Sequence, residues 1–118
     1  MKKAKLIFNW ILRILVSLGF LLASLGKLSN NPKVLDMFED WGYPNGFHFI
    51  IGIFELVLAV LVLIPKTLKI AIISLTIIMF GAIITHIIND PILQVIRPLI
   101  FLIFLFIIYY INYYKKEL

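Results

Sequence analysis

The chain has 118 residues, of which 63% are hydrophobic and 14% charged, and its mean hydropathy is +1.08. Soluble domains are usually about 45–50% apolar and about 25% charged, and a small domain has too much surface to hide so many apolar side chains from water. A water-soluble fold is therefore excluded. The length indicates a single domain, 1–118, and the lipid bilayer is the expected surroundings and partner of most of it.

The formal net charge is +5, and the sequence contains no cysteine. A basic balance can indicate nucleic-acid binding, but these positive charges gather at the chain ends and at one short turn, a pattern typical of membrane orientation. No nucleic acid is therefore expected as a partner. The lack of cysteine excludes disulfides, thiolate metal sites and CxxC redox chemistry within this chain. No metal-ligand spacing is recognisable either, so no metal is expected.

Four apolar segments are predicted in chain order, each near the length of about 20 residues that crosses a bilayer as a helix. They cover about residues 6–25, 47–64, 68–88 and 93–111. The first follows MKKAK and so resembles a signal peptide, but Arg13 interrupts it and no clear cleavage site follows, which favours a retained helix. Lipid admits only helices and closed barrels, and the period-two alternation of a barrel is absent. The expected fold is an all-α transmembrane four-helix bundle.

The lysines predict the orientation of this bundle. With four spans, the N-terminal lysines, Lys66 and Lys69 in the second turn, and Lys115 and Lys116 in the tail all fall on one side. The positive-inside rule then predicts that the N- and C-termini are both cytoplasmic. The loop at 26–46 faces outward in this arrangement, and its aromatic stretch WGYPNGF is typical of an anchor at the membrane interface.

Two charged residues fall well inside the predicted spans. At 1.5 Å per residue, Glu55 lies roughly 12 Å below the outer end of its helix, and Arg13 roughly 10 Å from the inner end of the first helix. Each unpaired charge near a helix centre costs about 2.5–3.5 kcal/mol on insertion scales, and intramembrane charges usually face the bundle interior and pair. We therefore expect Glu55 and Arg13 to approach each other or to share a polar pocket.

A second polar layer is predicted near the outer end of the bundle. Helical periodicity brings His86 to about the level of Lys27, Asp90 and Arg97. The candidate ligand-binding residues are Arg13, Lys27, Glu55, His86 and Arg97. An acid, an imidazole and a basic residue around a face of small residues can hydrogen-bond the carbonyls of a quinone and exchange protons with it. The alternatives are a structural ion pair that fixes helix register, a helix-capping His86, and Lys27 and Arg97 side chains that reach lipid headgroups.

The order of several short motifs along the chain resembles that of the DoxX-like family of small bacterial membrane proteins with four helices. The matching residues are Arg13, Gly26-Lys27, Phe38, the WGYP stretch Trp41–Pro44, Ile51, Gly52, Glu55, Leu56, Pro65, Met79, Ala82, Thr85-His86 and Pro98. The resemblance covers about residues 10 to 110. It implies a multi-pass protein of the bacterial inner membrane, with Arg13, Glu55 and His86 at positions where the family carries polar residues.

The resemblance also bears on function. The family takes its name from a small subunit of an archaeal thiosulfate:quinone oxidoreductase, and other members are associated with redox stress complexes. It implies a membrane subunit of a quinone-linked redox system that works with a redox partner subunit, because this chain has no self-contained catalytic motif. Two alternatives stay open. One is a non-catalytic structural or assembly subunit, and the other is a transporter of a small molecule or lipid, which would require a homo-oligomer.

Overall fold

The computed structural model describes residues 2–90 and 92–114, and within them the chain is helical, with no strand. Its α-helices are α1 (Lys2–Leu28), α2 (Pro32–Asp40), α3 (Phe47–Leu61), α4 (Leu68–Asn89) and α5 (Ile96–Tyr109). Short 3₁₀ turns, Pro65–Thr67 and Ile92–Val95, precede α4 and α5, and a π-helical turn, Tyr110–Tyr114, follows α5. These elements confirm the all-α prediction. Lys115 and Lys116, which the orientation prediction uses, lie outside the described residues.

Helix α2 is the element that the sequence reading did not predict, because it lies in the polar loop 26–46. Asn31 caps it by accepting a hydrogen bond from the Lys33 backbone amide at 2.9 Å, and Pro32 takes the first helical position. Both features are standard signals for a helix start. Its apolar residues recur at helical spacing, but the helix has only 9 residues and buries none of them.

Helices α1, α3, α4 and α5 form an antiparallel bundle. Ser17 of α1 contacts Ala59 of α3, Asn9 of α1 contacts Asn112 after α5, and Lys69 of α4 lies against the Tyr113 ring. The start of α1 and the end of α5 therefore lie together at one end of the bundle. We call it the terminal end, marked by Asn9, Val62, Lys69 and Asn112. The opposite end, marked by Asn30, α2, His48 and Asp90, is the loop end.

Three helical segments are long and apolar enough to cross a membrane: Lys3–Leu28, Pro65–Asn89 and Ile96–Tyr113. Helix α3 is apolar but has only 15 residues, because it ends at Leu61 rather than at the predicted residue 64. Helix α1 runs three residues beyond its predicted end at residue 25. This extension carries Lys27 along the side of α3, which decides the pairing of charges described below.

The core lies between the helices, while large apolar side chains cover the outside. Val16, Leu75 and Leu105 are fully buried. By contrast, the exposed fraction of Ile88 is 74% and that of Phe106 is 69%. A soluble monomer rarely exposes contiguous apolar surface on this scale, whereas a protein in lipid has no reason to bury it. The surface therefore agrees with the composition in assigning a membrane environment.

Candidate functional site

Glu55 lies on a buried stripe of α3 and pairs with a lysine. His48, Gly52, Glu55 and Ala59 follow one another at helical spacing, and all four are buried. The Lys27 Nζ atom lies 2.8 Å from Glu55 Oε1. The side chain of Glu55 is only 4% exposed and that of Lys27 17%, so this is an ion pair largely withdrawn from solvent. A buried carboxylate needs such a partner, because an isolated charge in a low-dielectric interior is strongly unfavourable.

The pairing prediction for Arg13 is wrong. Arg13 is buried near the terminal end, where its Nε atom donates a hydrogen bond to the Val62 carbonyl oxygen at 2.9 Å. Its guanidinium carbon lies 4.0 Å from the centre of the Trp10 ring. The error arose from helix length: α1 continues to Leu28, so the cation that reaches Glu55 is Lys27, near the last turn of α1.

His86 belongs to a separate group at the loop end. Its Nδ1 atom lies 2.7 Å from Asp90 Oδ2, and the Trp41 indole N–H donates to the same carboxylate oxygen at 3.0 Å. The Trp41 and His86 rings meet edge-on, with centroids 5.2 Å apart. The predicted outer cluster is therefore only partly present. His86 and Asp90 are in contact, but Lys27 pairs with Glu55 instead. Arg97 is exposed near the start of α5.

Four side chains that are not among the predicted ligand-binding residues also make contacts at the loop end. The Tyr43 hydroxyl lies 2.6 Å from the Thr85 hydroxyl, and His48 Nε2 lies 2.9 Å from Asn30 Oδ1. His48 precedes Gly52 by four residues and Glu55 by seven, so the same periodicity that places Glu55 inward identifies it. Tyr43 carries no such signal, because it lies in the loop between α2 and α3 and is positioned only by tertiary contacts.

A cavity of about 260 Å³ opens between α2, the following loop and the start of α3. It is lined by Leu35, Phe38, Glu39, Tyr43, Pro44, Asn45, Gly46 and His48. Phe38 lies at the centre of an aromatic group, with ring centroids 5.1 Å from Trp41, 5.7 Å from Tyr43 and 6.1 Å from His48. The cavity thus combines aromatic walls with a carboxylate, an amide, a phenol and an imidazole.

A large apolar groove runs between α4 and α5, with a volume of about 610 Å³. Its walls include Ile73, Ile77, Phe80 and Phe106, which are exposed on the outside of the bundle. None of the predicted site residues lines it. Among residues 2–90 and 92–114, no group of three His, Asp and Glu side chains could hold a metal ion.

The fold and these contacts define a class of protein: a small, helical membrane protein with separate polar groups buried at the two ends of its bundle. The profile of the DoxX-like family matches residues 11–108, which is most of the chain. The protein therefore belongs to the DoxX-like family, as its motifs suggested. Comparison with curated proteins gave no match, and comparison with solved structures gave none either.

Proposed function

We propose that this protein is a membrane subunit of a quinone-linked redox system and that its loop-end cavity receives the quinone headgroup. The proposal is based on the cavity itself. Side chains that can form hydrogen bonds and exchange protons, among them Tyr43 and His48, line this cavity in a bundle with an apolar outer surface. The proposal includes a multi-pass topology in a bacterial inner membrane, with both termini in the cytoplasm. It is supported by family membership, by three membrane-length helices and by the position of the lysines.

The chemistry of the cavity suits a ring that bears carbonyl groups. His48 and Tyr43 line it, and on binding their donors would leave Asn30 and Thr85 and turn to the carbonyl oxygens of the ring. The aromatic Phe38 offers a surface against which a flat ring can pack. Reduction of a quinone to a quinol takes up two electrons and two protons. In this proposal the protons pass through imidazole and carboxyl groups at the loop end, and an electron-donating partner subunit supplies the electrons.

The buried pair Lys27–Glu55 lies on the same face of α3 as His48, two turns further from the loop end. We propose that this pair holds α1 against α3 below the cavity and keeps the Glu55 carboxylate neutralised there. His86 lies beside Trp41, and Thr85 holds the Tyr43 hydroxyl, so α4 supports the other side of the loop. Arg13, at the terminal end, has no part in this site.

The test is the quinone content of the protein purified in mild detergent, measured by mass spectrometry of organic extracts. We expect isoprenoid quinone in near-stoichiometric amount in the parent protein and a large loss in His48→Ala and Glu55→Gln. The matched control is Asp36→Asn, which neutralises an exposed acid of α2 and is expected to retain quinone. Extracts that contain only bulk phospholipid, the same in all four proteins, would refute the proposal.

A second candidate function, a non-catalytic assembly subunit, is favoured by the way polar contacts join the helices. Asn9 and Asn112 exchange two hydrogen bonds between α1 and the end of α5, with N–O distances of 3.2 and 2.8 Å. Together with Lys27–Glu55 and Arg13–Val62, they fix helix register without requiring a ligand. If quinone is absent, and if replacing Lys27 and Glu55 together by methionine leaves the helices folded and the partner subunit bound, this second function is the correct one.

A further inference from the structure

The guanidinium of Arg13 is a buried cation with unsatisfied hydrogen-bonding capacity. The residue is 3% exposed, its Nε atom donates to the Val62 carbonyl, and one face lies on Trp10. Its Nη2 atom is buried and has no hydrogen-bond partner among the residues that the structure describes. A buried donor without an acceptor is unfavourable, and more so when the group is charged. The site therefore favours a ligand that brings an acceptor.

The charges described at this end of the bundle favour an anion as the acceptor. Lys66 and Lys69 are exposed at the same end of the bundle. Within the described ranges, Asp36, Glu39, Asp40 and Asp90 belong to the loop end and Glu55 is paired with Lys27. No described carboxylate is thus available to Arg13.

The start of α4 adds backbone donors at the same place. Helix α4 has 22 residues and begins at Leu68, and the Thr67 side chain does not cap it. The first amide groups of a helix lack intrahelical acceptors and carry a partial positive charge, which favours anions. Tyr113 lies near both features, because Asn112, its neighbour in the chain, exchanges hydrogen bonds with Asn9, one turn before Arg13. The Lys69 ammonium also lies 5.7 Å from the centre of the Tyr113 ring.

We propose that Arg13, Lys69 and the first turn of α4 form a phosphate-binding site that takes the headgroup of an anionic phospholipid in the leaflet at the terminal end. Arg recognises phosphate through paired donors, and basic pockets between membrane helices bind anionic headgroups. Arg13 is buried, so neighbouring side chains such as the half-buried Tyr113 have to move aside when the phosphate enters. The inference does not depend on the loop-end quinone proposal, since it uses the opposite end of the bundle.

The experiment is native mass spectrometry of the delipidated full-length protein titrated with phosphatidylglycerol, phosphatidylcholine or inorganic phosphate. We expect phosphatidylglycerol to bind at least about tenfold more tightly than phosphatidylcholine, a difference of about 1.4 kcal/mol. Inorganic phosphate at millimolar concentration should not displace it, because the acyl chains of the lipid also contribute to binding. Tight binding of inorganic phosphate with no preference for phosphatidylglycerol would assign the site to free phosphate and overturn the lipid proposal.

The variants are Arg13→Gln, Lys69→Gln and Lys33→Gln. Arg13→Gln should abolish the preference for phosphatidylglycerol, and Lys69→Gln should weaken it severalfold. Lys33→Gln, which removes an exposed lysine of α2 at the opposite end of the bundle, should leave it unchanged. Because Lys69 is exposed, that variant tests the site even where Arg13→Gln does not fold. Unchanged phosphatidylglycerol binding in folded Lys69→Gln, or an equal loss in Lys33→Gln, would overturn the proposal.

Discussion

Gly52 of α3 and Lys27 of α1 lie so close that the two helices leave no room for a side chain between them. A Cβ atom added to Gly52 would lie 2.9 Å from the Lys27 Cβ atom and 3.3 Å from the Leu28 side chain. Small residues permit such close approach between membrane helices. The contact also holds the base of the Lys27 side chain against α3, from which its ammonium reaches Glu55 one turn further along.

We therefore expect Gly52→Ala to push α1 from α3 and to destabilise the protein by about 1–3 kcal/mol, the usual cost of overpacking. The Lys27–Glu55 pair should lengthen with it. The measurement is the thermal unfolding midpoint in detergent. Gly81→Ala is the matched control, because a Cβ atom at Gly81 of α4 meets nothing within 4 Å. That substitution should be neutral or slightly stabilising, since alanine is the better helix former by about 1 kcal/mol. Equal unfolding midpoints for the two variants would contradict the inference that α1 and α3 are closely packed at Gly52.

The ion pair between Lys27 and Glu55 gives a second prediction. Removing one partner of a buried pair usually costs about 3–5 kcal/mol, whereas replacing both by apolar residues is often neutral. We expect Lys27→Met and Glu55→Met each to be destabilised and the double variant to recover most of the loss. Glu55→Met should be the milder single change, because a lysine can extend its side chain to the interface whereas Glu55 is almost fully enclosed.

This double-mutant cycle is measured by chemical unfolding in detergent. Additive losses, with no recovery in the double variant, would show that the two side chains do not interact. If the parent protein contains quinone, the double variant also tests the role of the pair. A folded double variant without quinone would place the pair in the site, and a folded double variant that retains quinone would make its role structural.

Much of the fold followed from composition and periodicity, because a membrane helix must be apolar over a defined length and must satisfy its own backbone. Gly52, Glu55 and Ala59 were placed on one inward face for the same reason. Composition and periodicity could not identify the partner of Glu55. Depth along a helix depends on where the helix ends, and boundaries are the least certain feature of a sequence reading. Because α1 extends three residues beyond its predicted end, Lys27 lies within the helix and pairs with Glu55, where the sequence predicted Arg13.

The loop end was predicted less well, because its geometry depends on contacts distant in sequence. Trp41 and Asp90 are separated by 49 positions and Tyr43 and Thr85 by 42, and no local pattern links them. The sequence predicts Trp41 and Tyr43 as interfacial anchors, and that prediction says nothing about the hydrogen bonds that they make. His48, in contrast, lay on the face already assigned and could have been selected from periodicity alone.

The carboxylate of Asp90 holds the α2 loop to α4, which leads to a third prediction. Asp90→Ala removes the acceptor of the Trp41 indole N–H and the partner of His86 Nδ1. We expect amides of residues 32–46 to exchange hydrogen several times faster, with little change in the rest of the bundle, because unmade hydrogen bonds of this kind cost about 1–3 kcal/mol locally. Hydrogen exchange read by mass spectrometry is the measurement. Asp40→Ala, at the exposed end of α2, serves as control, and equal acceleration in both variants would argue against this anchor.

Orientation gives the fourth prediction, and the absence of cysteine makes it simple to test. Lys66 and Asn45 are both exposed, and they lie at opposite ends of the bundle. If the lysine-rich terminal end is cytoplasmic, a membrane-impermeant thiol reagent applied to intact spheroplasts should label Asn45→Cys and not Lys66→Cys. After permeabilisation it should label both. The positive-inside rule predicts this result because Lys66 and Lys69 resist transfer across the membrane. Labelling of Lys66→Cys alone in intact spheroplasts would invert the topology and move the loop-end cavity to the cytoplasmic side, where a soluble redox partner would reach it directly.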